Sequence, residues 1–71
     1  MTNTDELEVA ITRSKLSKKE LAEALGISQM GFYNKVKGIY EFKGSEIEKL
    51  ARILSLSTEQ KQVIFFNNEL N

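Results

Sequence analysis

The chain has no cysteine, no histidine and no proline. Without cysteine, neither a disulfide nor a thiolate-bound metal can staple the fold. Without histidine, the usual zinc ligand and the usual proton shuttle near neutral pH are both missing. Ser17, Ser28, Ser45 and Ser57 therefore have no imidazole to activate them as nucleophiles. The Asp and Glu residues form no inward pair of the kind acid–base hydrolysis needs. An enzyme is not expected, nor is a metal or a cofactor. No apolar run reaches 18 residues and no charged-then-apolar segment opens the chain, so neither a membrane span nor a signal peptide is expected. The lack of proline, with apolar residues recurring at helical spacing rather than in alternation, indicates an all-α class. At 71 residues the expectation is a single domain, 1–71. A chain this small buries only ~60% of its unfolded surface, so its core has little to spare.

Net excess charge is lacking too, since ten Lys plus Arg balance ten Asp plus Glu. Such a balance argues against a generic polyanion binder. Its distribution is uneven, however. From Arg13 to Arg52 there are nine basic and five acidic residues, whereas Asp5, Glu6, Glu8, Glu59 and Glu69 make the two ends acidic. The middle of the chain is the part suited to an anionic partner.

That middle holds the most informative pattern, Ser17 to Gly38. Ser17 can cap a helix whose Glu20 reaches back to the Ser17 amide, a reciprocal capping box. Leu21, Ala22 and Leu25 then share one face, with Ala22 small where a second helix must cross closely. Gly26 can take the left-handed conformation that ends the helix without strain. Ile27 plugs the corner, and Ser28 caps the next helix. At about 100° per residue, Gln29, Met30, Tyr33, Asn34 and Lys37 fill one arc of that second helix, while Phe32 and Val36 point nearly the opposite way. Two short helices joined by a tight glycine turn, one face apolar and the other free, form a helix-turn-helix at about 17–37.

Three further helices are expected. Asn3 with Glu6 caps the first, from about Thr4 to Ser14, with Leu7, Ala10, Ile11 and Leu16 inward. After the connection 39–44, in which Phe42 is the expected buried anchor, Ser45 with Glu48 repeats the box and starts a helix running to about Leu54. Its apolar stripe is Ile47, Leu50, Ala51 and Leu54. Ser57 with Gln60 opens the last, about Thr58 to Asn67.

The segment from about Leu16 to Phe66 resembles the DNA-binding domains of phage lambda-type repressors and Cro proteins, the broad Xre-like helix-turn-helix family. The likeness rests on Ala22, Gly26, Gln29 and Gly38 in order, the stretch Gly38 to Phe42, the Ser-x-x-Glu at Ser45, and Leu50-Ala51 with Leu54-Ser55-Leu56. It implies a compact five-helix lambda-repressor-like domain, a Cro-like transcriptional repressor whose second motif helix enters the major groove, and a weak homodimer on a double-stranded operator. It further implies a cytoplasmic setting, in a bacterium or a phage-infected host cell, with no small-molecule ligand. By the same resemblance Lys18 contacts a phosphate and Gln29 reads a base, since its amide can pair with both N6 and N7 of adenine. Met30, Tyr33 and Asn34 are the next reading positions, and Lys37, Tyr40 and Lys43 grip the backbone. Lys35 departs from the family by standing where many members carry an apolar residue, and the packing role passes to Val36.

The other functional class open to this sequence is a helix-turn-helix module that binds protein rather than DNA, antitoxin-like or antirepressor-like, which the zero net charge favours. Finally, Val63, Ile64, Phe65 and Phe66 are consecutive and point in four directions round the last helix, more than a single core can bury. Ile64 and Phe65 are the candidates for a dimer interface, at the end of the bundle through which lambda-type domains commonly pair.

Overall fold

Capping side chains set most of the helix boundaries. A computed structural model, describing residues 1–66, contains α1 (Thr4–Ser14), α2 (Lys18–Leu25), α3 (Gln29–Val36), α4 (Gly44–Ile53) and α5 (Thr58–Phe65), with no strand among the described residues. The Asn3 side chain accepts from the Glu6 amide at 3.2 Å, and Ser17 with Glu20 and Ser57 with Gln60 each close both halves of a capping box. Ser28 accepts from the Gly31 amide at 2.9 Å. Gly26 ends α2 in the left-handed region, φ 75°, where the amides of Gly26 and Ile27 close on the carbonyls of Glu23 and Ala22. Only three residues, Gly26 to Ser28, separate α2 from α3.

Two helix ends differ from expectation. The box at the start of α4 is not Ser45 with Glu48. Gly44 is already helical, and the Glu46 carboxylate accepts from the Lys43 amide at 2.8 Å. Glu46 is preferred because it also meets a lysine ammonium from α3, which Glu48, directed to Lys61, does not. Leu16 is exposed rather than inward, because the chain leaves α1 through Lys15 at φ 63° and swings Leu16 away from the core. The expected end of the last helix at Asn67 lies outside the described residues.

The core collects Leu7 and Ile11 of α1, Leu21, Ala22 and Leu25 of α2, Phe32 and Val36 of α3, Ile47 and Leu50 of α4, and Ile64 and Phe65 of α5. Phe42, from the α3–α4 connection, is its keystone. Its ring meets Phe32 edge-on at 6.1 Å between centroids and Phe65 at 5.6 Å. Each such pair contributes roughly 0.5–1.5 kcal/mol beyond the area it buries. The Asn3 amide donates to the Ile64 carbonyl, tying the start of α1 to α5. The Cα radius of gyration, 11.1 Å, matches the ~11 Å expected of one compact chain of this length.

The four consecutive apolar residues at the end of α5 and its C-cap, Val63 to Phe66, divide two and two, but not as the sequence suggested. Ile64 and Phe65 are core, so neither is free to form a dimer interface; Val63 and Phe66 are left about half exposed, at 50% and 48%. Ile64 and Phe65 are the pair that joins the core because only one side of α5 can face α1.

Truncating Phe32, which has no exposed surface, should cost about 3–5 kcal/mol and remove most of the folded population. Phe66→Ala should change stability by no more than about 1 kcal/mol. Urea unfolding followed by circular dichroism distinguishes the two.

Candidate nucleic-acid interface

An eight-residue helix has little stability of its own in water, so the orientation of α3 is set by what its inner side touches. Phe32 and Val36 are fully buried, and Val36 does take the packing role that Lys35 leaves open. Gly31 serves the start of the helix: a Cβ there would lie 3.0 Å from Ser28 Oγ, the atom that caps it. At the other end Gly38, at φ 84°, turns the chain so that the Ile39 amide donates to the Asn34 carbonyl at 2.9 Å.

The outer side carries the residues singled out from the sequence. Gln29, Met30 and Tyr33 are exposed on α3 and Asn34 is half-buried beside them. Met30 is 66% exposed, the most accessible large apolar side chain of the helix. Lys37, the C-cap residue, places its ammonium 5.4 Å from the centre of the Tyr33 ring, so the two extend along the same face. Tyr40 and Lys43 are exposed on the connection that follows. Lys18, at the start of α2, is not a free cation. It pairs with Glu8 of α1 at 3.2 Å, with both side chains well exposed. An exposed pair of this kind contributes ~0–1 kcal/mol, so exchanging Glu8 for an anionic ligand costs little.

The residue that sequence reasoning missed is Glu46. It is 6% exposed, and its carboxylate receives the Lys35 ammonium at 2.7 and 2.8 Å together with the Lys43 amide. One carboxylate thus joins the last turn of α3 to the first turn of α4 and closes the connection bearing Lys37, Tyr40 and Lys43. Burial, the largest single influence on Glu46, pushes its pKa up. The hydrogen bonds from Lys35 and the Lys43 amide, with the charges of both lysines, outweigh it and hold the carboxyl below its ordinary 4.5. The signal was present: a lysine in an apolar position of one helix, and a glutamate one turn into the next. Glu48, by contrast, pairs with Lys61 on the surface at 3.1 Å.

Elsewhere, a groove of about 360 Å³ runs between α1, the α4–α5 connection and α5, with Val9, Ala10, Leu56 and Val63 in its lining. Among the described residues no cluster of acidic side chains could hold a metal ion, and no helix is long and apolar enough to cross a membrane. No protein-family model, curated protein or solved structure matches the chain.

Removing one partner of the Lys35–Glu46 pair leaves the other charge buried, so Lys35→Met should destabilise by about 3 kcal/mol, and adding Glu46→Met should restore much of that loss. The depressed pKa of Glu46 means that its charge contributes stability fully above 4.5 and loses it as pH falls through the lower folded-state value. Thermal melts of the parent and Glu46→Gln should therefore differ most above pH 4.5 and converge below it.

Proposed function

We propose that this protein is a sequence-specific double-stranded DNA-binding regulator, a lambda-repressor-like helix-turn-helix domain that inserts α3 into the major groove. The observation that carries this reading is the division of α3. Its inner side is fixed by Phe32, Val36 and Lys35, while Gln29, Met30 and Tyr33, with half-buried Asn34 beside them, stand on an outer side left exposed among the described residues. Three residues between α2 and α3 are what a helix that crosses the backbone before a reading helix requires. In this reading Gln29 and Asn34 hydrogen-bond base edges, and Lys18, Lys37, Tyr40 and Lys43 hold phosphates. Repression in the manner of Cro proteins fits the same sequence resemblance.

The uncovered part of α5 fits a weak homodimer. Val63 and Phe66, with Val9 across the groove, supply apolar surface for a two-fold contact that would set two α3 helices one DNA turn, about 34 Å, apart. Phe66→Ser together with Val63→Ser should lower affinity for a palindromic site more than for a half-site, with the melting temperature kept.

A protein-binding role is the second reading. It draws on the zero net charge and on the exposed Met30, Tyr33, Ile39 and Tyr40, an unusually apolar surface for a phosphate-binding region.

Selection from random duplexes at fixed salt, followed by fluorescence anisotropy on the selected site, tests the DNA reading. Gln29→Ala should cost about 1–3 kcal/mol and flatten preference at one base pair, whereas Lys37→Ala should weaken all sequences alike. Log affinity should fall linearly with log salt, at about −0.9 per phosphate neutralised. Affinity independent of salt, or no selected sequence, would favour the protein-binding reading.

A further inference from the structure

The outer arc of α3 is unusual in which base contacts it can make. The chain has two arginines, Arg13 and Arg52, and neither lies on α3 or on the connection after it. Of the lysines on this helix and its cap, Lys35 is turned inward to Glu46 and Lys37 lies against the Tyr33 ring. Pairing with the O6 and N7 of guanine, the commonest specific contact to a G·C pair, thus has no arginine to make it, and the one outward lysine, Lys37, sits at the C-cap, where it is assigned to the backbone. The arc's bidentate hydrogen-bonding side chains, Gln29 and Asn34, are amides, which match the N6 and N7 of adenine, while the Tyr33 hydroxyl offers a single donor and acceptor. Met30 lies between them, unbranched, flexible and 66% exposed. In the major groove the apolar group that such a side chain can cover is the 5-methyl of thymine, which cytosine lacks.

We infer that α3 reads A·T base pairs, with the Met30 thioether packed on a thymine methyl between adenine contacts from Gln29 and Asn34. This rests on the DNA-binding reading and names the half-site chemistry. G·C pairs under α3 go unread, and preference at the central position comes from burial of a methyl group rather than from a hydrogen bond.

The probe is the duplex selected from a random pool, resynthesised with deoxyuridine in place of thymidine one position at a time. This change removes the methyl and leaves every Watson–Crick and groove hydrogen-bonding atom in place. Burying one methyl-sized group is worth roughly fourfold in affinity. One thymidine under α3 should therefore show a loss of about that size with the parent protein. Met30→Ala, an exposed substitution that leaves the fold intact, should bind the thymidine and deoxyuridine duplexes equally. A selected half-site rich in G·C under α3 overturns the inference. So does a parent indifferent to the change at every position, or a Met30→Ala variant that keeps full sensitivity. Failure to bind any duplex, even at low salt, removes the DNA reading itself and is distinct from all three.

Discussion

The edge-on contact of Phe32 with Phe42 turns an eight-residue segment into a helix with a fixed orientation. Phe42 comes from irregular backbone between α3 and α4, and its other edge is held by Phe65 of α5. The three rings therefore link α3 to α5 through a loop residue. Because packing at the interior is dense, a shift of Phe42 cannot be absorbed locally and would rotate α3. The capping bonds at Ser28 and Gly38 set where α3 begins and ends, but they leave its rotation free. The aromatic chain fixes that rotation, and with it which side chains face outward.

The Lys35–Glu46 pair acts on the same helix from the other flank. An ion pair of this depth is a poor source of net stability compared with apolar packing of the same volume. Its geometric effect is larger, because Glu46 has a single position in which it can accept from both the Lys35 ammonium and the Lys43 amide. The cost in charge is also plain. Lys35 and Lys18 belong to the basic middle of the sequence, yet one is neutralised inside and the other is shared with Glu8. The cations on and after α3 that face outward are Lys37 and Lys43, and Lys18 joins them only by exchanging Glu8, so in the DNA-binding reading electrostatic attraction is modest and base contacts carry more of the affinity.

Much of this was legible in the sequence. Boxes at Ser17 and Ser57, the cap at Asn3 and the glycine at position 26 are local chemistry, and local chemistry is visible in residue order. Phe42 was legible as an anchor because it is the one phenylalanine in the connection, whose other aromatic, Tyr40, carries a polar hydroxyl. The α4 start was misplaced because two serine or lysine positions compete there. The deciding partner, Lys35, is 11 residues away and reaches Glu46 only in the folded chain. The same limit applied to α5. Four apolar residues in a row announce that some must stay outside, but which ones depends on the angle at which α5 meets α1, a tertiary quantity. The outer face of α3 was legible as a face, since Phe32 and Val36 define its opposite, whereas the engagement of Lys18 with Glu8 was not.

The claim that most depends on measurement is that the outer side of α3 is the surface that meets DNA. Titration of the isotopically labelled chain with a duplex of mixed sequence at low salt, followed by amide chemical shifts, reports the contact surface residue by residue. The account predicts that shifts concentrate at Gln29 to Asn34, at Lys37 to Lys43 and at Lys18, with smaller shifts at Val9, Val63 and Phe66 only where two copies pair. Shifts confined to the α1–α5 groove, or no shifts at all with the fold intact, would contradict it.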